Sequence, residues 1–183
     1  MSLADSGTLV EPGALSSGVN KKALLAGVVG TVVGLDFITK MWAMNSLTFG
    51  YPVPVWGEFF RLTYTHNPGA AFGINVGEHS RLFFLVLSVL ALVVLGIIYR
   101  STPARDRVRL LAVALVSGGA IGNIIDRIRF EAGVVDFLDV GIGAHRWPIF
   151  NVADMAVSTG AVLLLISFYF EEKDGDEPEP GTG

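Results

Sequence analysis

The chain has 183 residues, of which 51% are hydrophobic and 16% are charged, and the apolar residues fall in long blocks. This composition is rare in a soluble domain and indicates an integral membrane protein. The absence of cysteine excludes disulfides, thiolate catalysis and cysteine-ligated metal, and the net charge of −4, carried largely by the C-terminal tail, gives no indication of nucleic-acid binding.

Residues 1–20 are polar and lack periodicity, which predicts a disordered tail. They do not resemble a secretory signal, because the basic pair Lys21 and Lys22 comes late. The apolar segment that follows, ALLAGVVGTVVGLDFITKMW, is predicted to be the first membrane-spanning helix.

Asp36 and Lys40 lie four residues apart near the far end of this helix, and therefore on one face. They have a structural explanation, an ion pair in which Lys40 extends towards the interface. The functional explanation is a pair that orders the floor of a site or contacts substrate. On these two residues alone, we favour the structural ion pair.

Residues 45–80 form a long, aromatic outer loop of the kind that suits the headgroup layer. Within it, FFRLTYT alternates between apolar and polar residues, which predicts a strand. The NPGAAFG segment, which begins at Asn67, combines a turn with small residues that allow close backbone approach.

Three further spans are predicted, LFFLVLSVLALVVLGIIY, LLAVALVSGGAIGNII and VADMAVSTGAVLLLISFYF. The second span carries no charge and is expected to be scaffold, whereas the glycines of the third allow another helix to approach closely. The predicted fold class is an all-α polytopic membrane protein with four transmembrane helices and a small β-containing outer loop at the membrane surface.

The orientation follows from the basic residues, which crowd residues 100–109 and precede the first helix at Lys21 and Lys22. Both termini are then cytoplasmic, and the 45–80 and 127–150 loops are outside. Three arginines in the second outer loop, Arg127, Arg129 and Arg146, count against this orientation.

With that topology, the polar residues beside the apolar segments gather at the outer interface, within and around residues 118–154. Ionisable groups are costly there, so the clustering indicates an active site. Each has a structural alternative: Asp154 and Asn151 resemble a helix cap, Asp126 could pair with Arg127 or Arg129, and Asp139 could be a solvated loop residue.

Two carboxylates that share a site cannot both ionise cheaply, so one holds a proton while the other takes one from water. The candidates for such a pair are Asp126, Asp136, Asp139 and Asp154. The three histidines have no metal-ligand spacing, and no nucleotide-binding loop occurs, so we expect no metal and no cofactor. A proton-coupled small membrane transporter that uses the clustered carboxylates is the alternative from another class.

Five segments, LDFITK, THNPGAAF, GGAIGNIIDRI, GVVDF and FNVAD, carry a resemblance in their order and spacing. The chain resembles the lipoprotein signal peptidases, also called signal peptidase II, over roughly residues 22–170. The resemblance implies a metal-free aspartic endopeptidase that removes the signal peptide from diacylglyceryl-modified prolipoproteins just before the lipidated cysteine.

Carried over by position, the resemblance places the catalytic pair at Asp136 and Asp154. It places substrate-binding or pocket-supporting roles at nine other positions: Asp36, Lys40, Asn67, Gly119, Asn123, Asp126, Arg127, Asn151 and Ala153.

The expected organisation is a cytoplasmic tail at 1–20, a four-helix peptidase domain at 21–170 and a disordered acidic tail at 171–183. The resemblance further implies a multi-pass protein of the bacterial cytoplasmic (inner) membrane with its active site at the outer face. Its expected partners are the prolipoprotein substrate and membrane lipids. We also expect a monomer, no nucleic acid, and inhibition by globomycin-type peptide antibiotics.

Overall fold

The computed structural model describes residues 20–69 and 77–175, and its framework is four long helices. These are α1 (Lys21–Ser46), α2 (Ser80–Ser101), α3 (Arg107–Arg129) and α4 (Val152–Gly175). All four are long and apolar enough to cross a membrane, which confirms the predicted spans.

Helix α3 forms the centre of the bundle and packs against each of the other three helices. Of its spanning segment 56% is buried, against 17% or less for the other three. The close approach of α3 to α4 requires glycine at position 119. A Cβ added at Gly119 would collide with the carbonyl oxygen of Ala153 and with Val157 on α4.

Two basic residues join helices at the end where the chain enters α1. Lys21 Nζ donates to the carbonyl oxygens of Tyr99 and Thr102, at 2.9 and 2.5 Å, and so ties α1 to the end of α2. Arg109 Nη2 lies 2.8 Å from Glu171 Oε2 and ties α3 to α4. The candidate site lies at the opposite end.

A four-stranded antiparallel sheet in the order β1-β2-β3-β4 lies at that opposite end. Its strands are β1 (Val53–Trp56), β2 (Phe60–Asn67), β3 (Val134–Ile142) and β4 (His145–Arg146). Strand β2 confirms the strand predicted in the aromatic loop. The pairing of β2 with β3 sets Thr65 opposite Asp136 and Asn67 opposite Val134.

Two sequence-based expectations differ from the structure. The 127–150 segment, treated as a loop, contains β3 and β4. Helix α4 continues to Gly175, so the prediction of disorder is wrong for residues 171–175. Glutamate and lysine are good helix formers, and Glu171 is held by Arg109, so the helix persists past its apolar part. The predicted disorder of 1–19 and 176–183, and most of the NPGAAFG segment, lie outside the described residues.

Candidate active site

The predicted site residues come from five elements that meet at one end of the bundle. Helix α1 brings Asp36 and Lys40 and α3 brings its last turns, while the first turn of α4, the end of β2 and the start of β3 complete the site. All eleven residues predicted to be catalytic or pocket-supporting lie in this region, each in contact with at least one other.

Asp136 lies in β3 and is almost fully buried, at 1% exposure. Its Oδ2 accepts a hydrogen bond from Asn67 Nδ2 at 3.1 Å, and its Oδ1 accepts one from Asn151 Nδ2 at 2.7 Å. Burial and, to a smaller extent, the charge of Asp154 raise the pKa of Asp136 to about 7, against the lowering effect of the two amides. The Asp136 carboxyl is therefore poised to gain or lose a proton near neutral pH.

Asp154 lies in the first turn of α4, where it forms a reciprocal cap with Asn151. The backbone N–H of Asp154 donates to Asn151 Oδ1 at 2.9 Å, and the backbone N–H of Asn151 donates to Asp154 Oδ2 at 3.3 Å. The predicted cap is confirmed. The other carboxylate oxygen, Oδ1, accepts a hydrogen bond from Asn123 Nδ2 at 2.8 Å, so the same side chain caps a helix and takes part in the site.

Asn151 is fully buried and joins the two aspartates into one network. Its Nδ2 donates to Asp136 Oδ1 at 2.7 Å and to Asn123 Oδ1 at 3.2 Å, while its Oδ1 accepts from the Asp154 amide. Because an amide nitrogen has two protons, both donors are used. A single side chain thus sets the position of both carboxylates.

Lys40 is buried at 2% exposure and holds the floor of the site. Its Nζ lies 2.7 Å from Asp36 Oδ2 and 2.9 Å from Asp126 Oδ2, and it donates to Asn123 Oδ1 at 3.1 Å. The predicted pair of Asp36 with Lys40 is confirmed, but the ammonium group points into the bundle instead of towards the interface. All three of its protons find acceptors, which is what allows the charge to be buried.

Asp126 does not pair with Arg127 or Arg129, which corrects the structural alternative offered for it. Its Oδ2 contacts Lys40 and accepts a hydrogen bond from the Val135 amide at 3.1 Å. Successive residues of a helix point in different directions, so Asp126 faces α1 while Arg127 does not share its face. Asp126 therefore holds the strand that carries Asp136.

Arg127 is buried and fastens the end of β2 to α3. Its Nη2 donates to the carbonyl oxygen of Gly69 at 2.9 Å, and its Nη1 donates to that of Asn123 at 3.2 Å. Within residues 20–69 and 77–175, its Nε has no hydrogen-bond partner. The positive charge of Arg127 also interacts with the carboxylates of Asp136 and Asp154, which are joined through Asn151.

Small residues allow three helices to converge at the floor. The Ala153 amide donates to Asp36 Oδ1 at 2.9 Å, which joins α4 to α1. A Cβ added at Gly122 would lie 2.6 Å from Asp36 Oδ2, and one at Gly119 would strike the Ala153 carbonyl. Larger side chains at these positions would separate the helices and displace the acidic groups.

Asp139 was a candidate for the pair, and the structure places it in a separate cluster. It is buried, and its carboxylate contacts Arg146 Nε at 2.5 Å, Arg61 Nε at 3.5 Å and Thr63 Oγ1 at 2.9 Å. The expectation of a solvated loop residue is wrong, because β3 brings Asp139 opposite Arg61 in β2. With two arginines beside it, this carboxylate has a structural use.

Two cavities open beside the aspartates. One of about 250 Å³ is lined by Asp136, Asn67 and His66, and one of about 80 Å³ by Asp154 and Asn67. Both are also lined by Pro148 and Ile149, which the sequence analysis missed. The position of WPI directly before the FNVAD motif was the available signal. No cluster of three potential metal ligands occurs in the described part of the chain.

Comparison with known proteins was made with this geometry in hand. Residues 28–170 match the family model described as signal peptidase (SPase) II. The chain is 40% identical over 152 residues to the lipoprotein signal peptidase of Maridesulfovibrio salexigens, which covers 81% of this chain and 97% of that relative. It is 42% identical over 149 residues to that of Halothermothrix orenii, again covering 81% and 97%. A solved structure described as a bacterial membrane enzyme superposes with a TM-score of 0.75 at 29% identity, over 86% of this chain and 94% of that one.

Proposed function

Because the chain belongs to the signal peptidase II family, we propose that it is an aspartic endopeptidase of prolipoproteins. It removes the signal peptide from a diacylglyceryl-modified precursor just before the lipidated cysteine. The observation that carries the mechanism is the linkage of Asp136 and Asp154 through Asn151, in a site where Asp136 has a pKa of about 7.

In the proposed reaction, ionised Asp154 takes a proton from a water molecule, whose oxygen attacks the scissile carbonyl carbon. Protonated Asp136 gives its proton to the carbonyl oxygen, which yields a neutral tetrahedral diol. One diol hydroxyl then returns its proton to Asp136 while Asp154 protonates the departing nitrogen, and the C–N bond breaks. The two carboxyls finish in their starting protonation states, as in aspartic proteases.

Exposed aromatic residues on and beside the sheet support the placement of this reaction at a membrane surface. Tyr51, Trp56 and Trp147 are 66%, 75% and 57% exposed, and such side chains favour the headgroup layer. A substrate whose cysteine carries a diacylglyceryl group would keep its acyl chains in the bilayer while its scissile bond enters the cavities beside Asp136 and Asp154.

The proposed location is the bacterial cytoplasmic membrane with the aspartates at the outer face. Lys21, Lys22 and Arg100 at the other end of the bundle support this orientation. Two of the three arginines that counted against it have local uses: Arg127 is buried against Gly69, and Arg146 pairs with Asp139. We further propose that the protein works as a monomer and that the same cavities would take globomycin-type peptide antibiotics.

A proton-coupled transporter is disfavoured by the distribution of charge. Its carboxylates would lie along a path through the bilayer. Here the joined acids lie at one end, and α2 carries charged residues only at its termini, Arg81 and Arg100.

The proposed function is tested with the purified protein in detergent and two matched precursors. One precursor carries the diacylglyceryl group on its cysteine, and the other has the same sequence without the lipid. Mass spectrometry of the products measures release of the signal peptide. We expect release from the lipidated precursor and none from the precursor without lipid. Equal cleavage of both precursors, or cleavage at another bond, would contradict the proposed substrate.

A further inference from the structure

A second apolar recess lies at the end of the bundle remote from the aspartates. Helices α1 and α2 both pack on α3 but have few contacts with each other. Between them remains a cavity of about 450 Å³, floored by α3 residues such as Val113 and Ser117 and walled by Ala26 and Gly96. We call it the α1–α2 groove.

The groove spans part of one leaflet only. On α1 its lining runs from Lys22 to Val29, a stretch of eight residues whose ends lie about 10 Å apart along the helix axis. One leaflet contributes roughly 15 Å of hydrocarbon, half of the bilayer core. The recess therefore belongs to the leaflet on the Lys22 side, which is cytoplasmic in the proposed orientation.

An apolar cavity of this size favours binding of an apolar group over water. Even an engineered cavity of about 150 Å³ lined by apolar side chains excludes water and binds small hydrocarbons. The α1–α2 groove is larger, and the acyl chains of the bilayer are the apolar groups beside it. An acyl chain that fills the groove restores the contacts that its walls otherwise lack.

The charge at the mouth of the groove selects the headgroup. Lys21 is already used, since its Nζ donates to two carbonyl oxygens at the end of α2 and lies 4.8 Å from the centre of the Tyr99 ring. Lys22 lines the groove with an exposed side chain that has no ion pair within the described residues. In a bilayer, an ammonium group at the start of a spanning helix would lie near the lipid phosphates, where it attracts anionic headgroups.

We propose that the α1–α2 groove binds an anionic phospholipid, with one acyl chain between α1 and α2 and the phosphate at Lys22. The signal helix of a substrate is a poorer occupant, because signal peptides begin with a basic region that Lys21 and Lys22 would repel. The smaller cavity beside the aspartates is lined by α4, at Asp154 and Ser158, whereas the groove is lined by the other three helices. This inference does not depend on the proposed function.

Two variants address the two parts of the lipid, each with a matched control. Gly96→Phe adds a ring at a residue that lines the groove and where an added Cβ meets no atom within 4 Å. Gly30→Phe adds the same ring at an equally open helical glycine that does not line the groove. Lys22→Ala removes the cation at the mouth, and Arg100→Ala removes an exposed cation at the same end of the bundle but outside the groove.

The measurement is native mass spectrometry of delipidated protein titrated with phosphatidylglycerol or phosphatidylcholine. We expect the wild-type protein to retain one phosphatidylglycerol with about fivefold preference over phosphatidylcholine, the factor that corresponds to one lysine at an anionic surface. Gly96→Phe should lose the retained lipid and Lys22→Ala only the preference, while Gly30→Phe and Arg100→Ala behave as wild type.

Four outcomes would overturn the proposal. The first is equal retention of both lipids by the wild-type protein, and the second is undiminished retention by Gly96→Phe. The third is a raised KM of Gly96→Phe for lipidated precursor in phosphatidylcholine, which would assign the groove to the signal helix. The fourth is a dimer that is lost in Gly96→Phe, which would assign the groove to a second copy. Lipid retention is read without turnover, so the result stands whether or not the protein cleaves prolipoproteins.

Discussion

Asp136 and Asp139 lie three residues apart on the same strand, and both are buried, yet their surroundings are opposite. Asp139 contacts two arginines and a threonine, whereas Asp136 is held by two amides and faces another aspartate through Asn151. Burial, together with the charge of Asp154, raises the pKa of Asp136 to about 7, although Lys40 acts in the opposite direction. The comparison indicates that the neighbours of a buried carboxyl, more than its burial, separate a chemical role from a structural one.

The substitutions Asp136→Asn and Asp154→Asn are expected to have the largest effect, a loss of catalytic turnover. Each should lower turnover of lipidated precursor by roughly a thousandfold, because each removes a group that transfers a proton in the proposed mechanism. Both variants should fold normally, as judged by thermal melting in the same detergent. Asp139→Asn is the matched control, a buried aspartate of the same strand whose loss should leave turnover nearly unchanged. An inactive but stable Asp139→Asn would break the distinction between the two aspartates.

The next effect is on stability, through Lys40→Met. This change leaves Asp36 and Asp126 buried without their cation, which costs about 3–5 kcal/mol in comparable pairs. Thermal and denaturant unfolding in detergent should show the loss. The triple variant Asp36→Asn, Lys40→Met, Asp126→Asn carries no unpaired charge and should regain much of the stability. A Lys40→Met protein as stable as the wild type would contradict this account.

The next prediction concerns the pH dependence of the free energy of unfolding, to which the titration of buried Asp136 contributes. Its pKa is raised from 3.8 to about 7 in the folded state, so between these values the folded chain binds more protons than the unfolded chain. The contribution of Asp136 to stability is thus complete below about pH 4 and is lost as the pH rises to about 7. Relative to the wild type, Asp136→Asn should gain up to a few kcal/mol at pH 8, since one pKa unit corresponds to ~1.4 kcal/mol.

Unfolding midpoints of the two proteins at pH 4 and pH 8 test this prediction. The difference between them should be small at pH 4 and should favour the variant at pH 8. A pH-independent difference would mean that Asp136 titrates as it does in the unfolded chain. Turnover by the wild type should fall above about pH 7 for the same reason, since the proposed mechanism needs the pair to hold one proton.

The smallest effect is expected for Asp126→Asn. Asparagine still offers an oxygen to the Val135 amide, but the charge that pairs with Lys40 is lost. The variant should have a lower melting temperature, with a free energy of unfolding reduced by about 1–3 kcal/mol. It should keep measurable activity. Thermal melting and turnover in one detergent are the two measurements. A fully stable but inactive Asp126→Asn, beside an active Asp136→Asn, would transfer the catalytic role to Asp126.

Local patterns in the sequence predicted most of the framework. Hydropathy located the four spans, and alternation located β2, because each depends on neighbouring residues. Strand β3 was missed because its first half is buried on both faces and so does not alternate. The cap formed by Asn151 and Asp154 was predicted because its partners are three residues apart.

Contacts between distant parts of the chain could not be predicted in this way. Asp126 was assigned to neighbouring arginines, but its partner Lys40 is 86 positions earlier in the sequence. Asp139 was assigned to solvent, although it meets Arg61 across the sheet. The resemblance to a family assigned the catalytic pair to Asp136 and Asp154, which the structure joins through Asn151, whereas the residues alone left four candidates open.

The spacing of Asp36 and Lys40 has a consequence for the order in which the protein is made. Their pair lies within one helix, so it forms as soon as α1 is helical, before α3 has been synthesised. Lys40 can then enter the bilayer with its charge already compensated. Asp126 and Asn123 become available only with α3, and Asp154 only with α4. The joined carboxylates are therefore assembled last, and a ribosome-bound nascent chain that lacks α4 has no competent site.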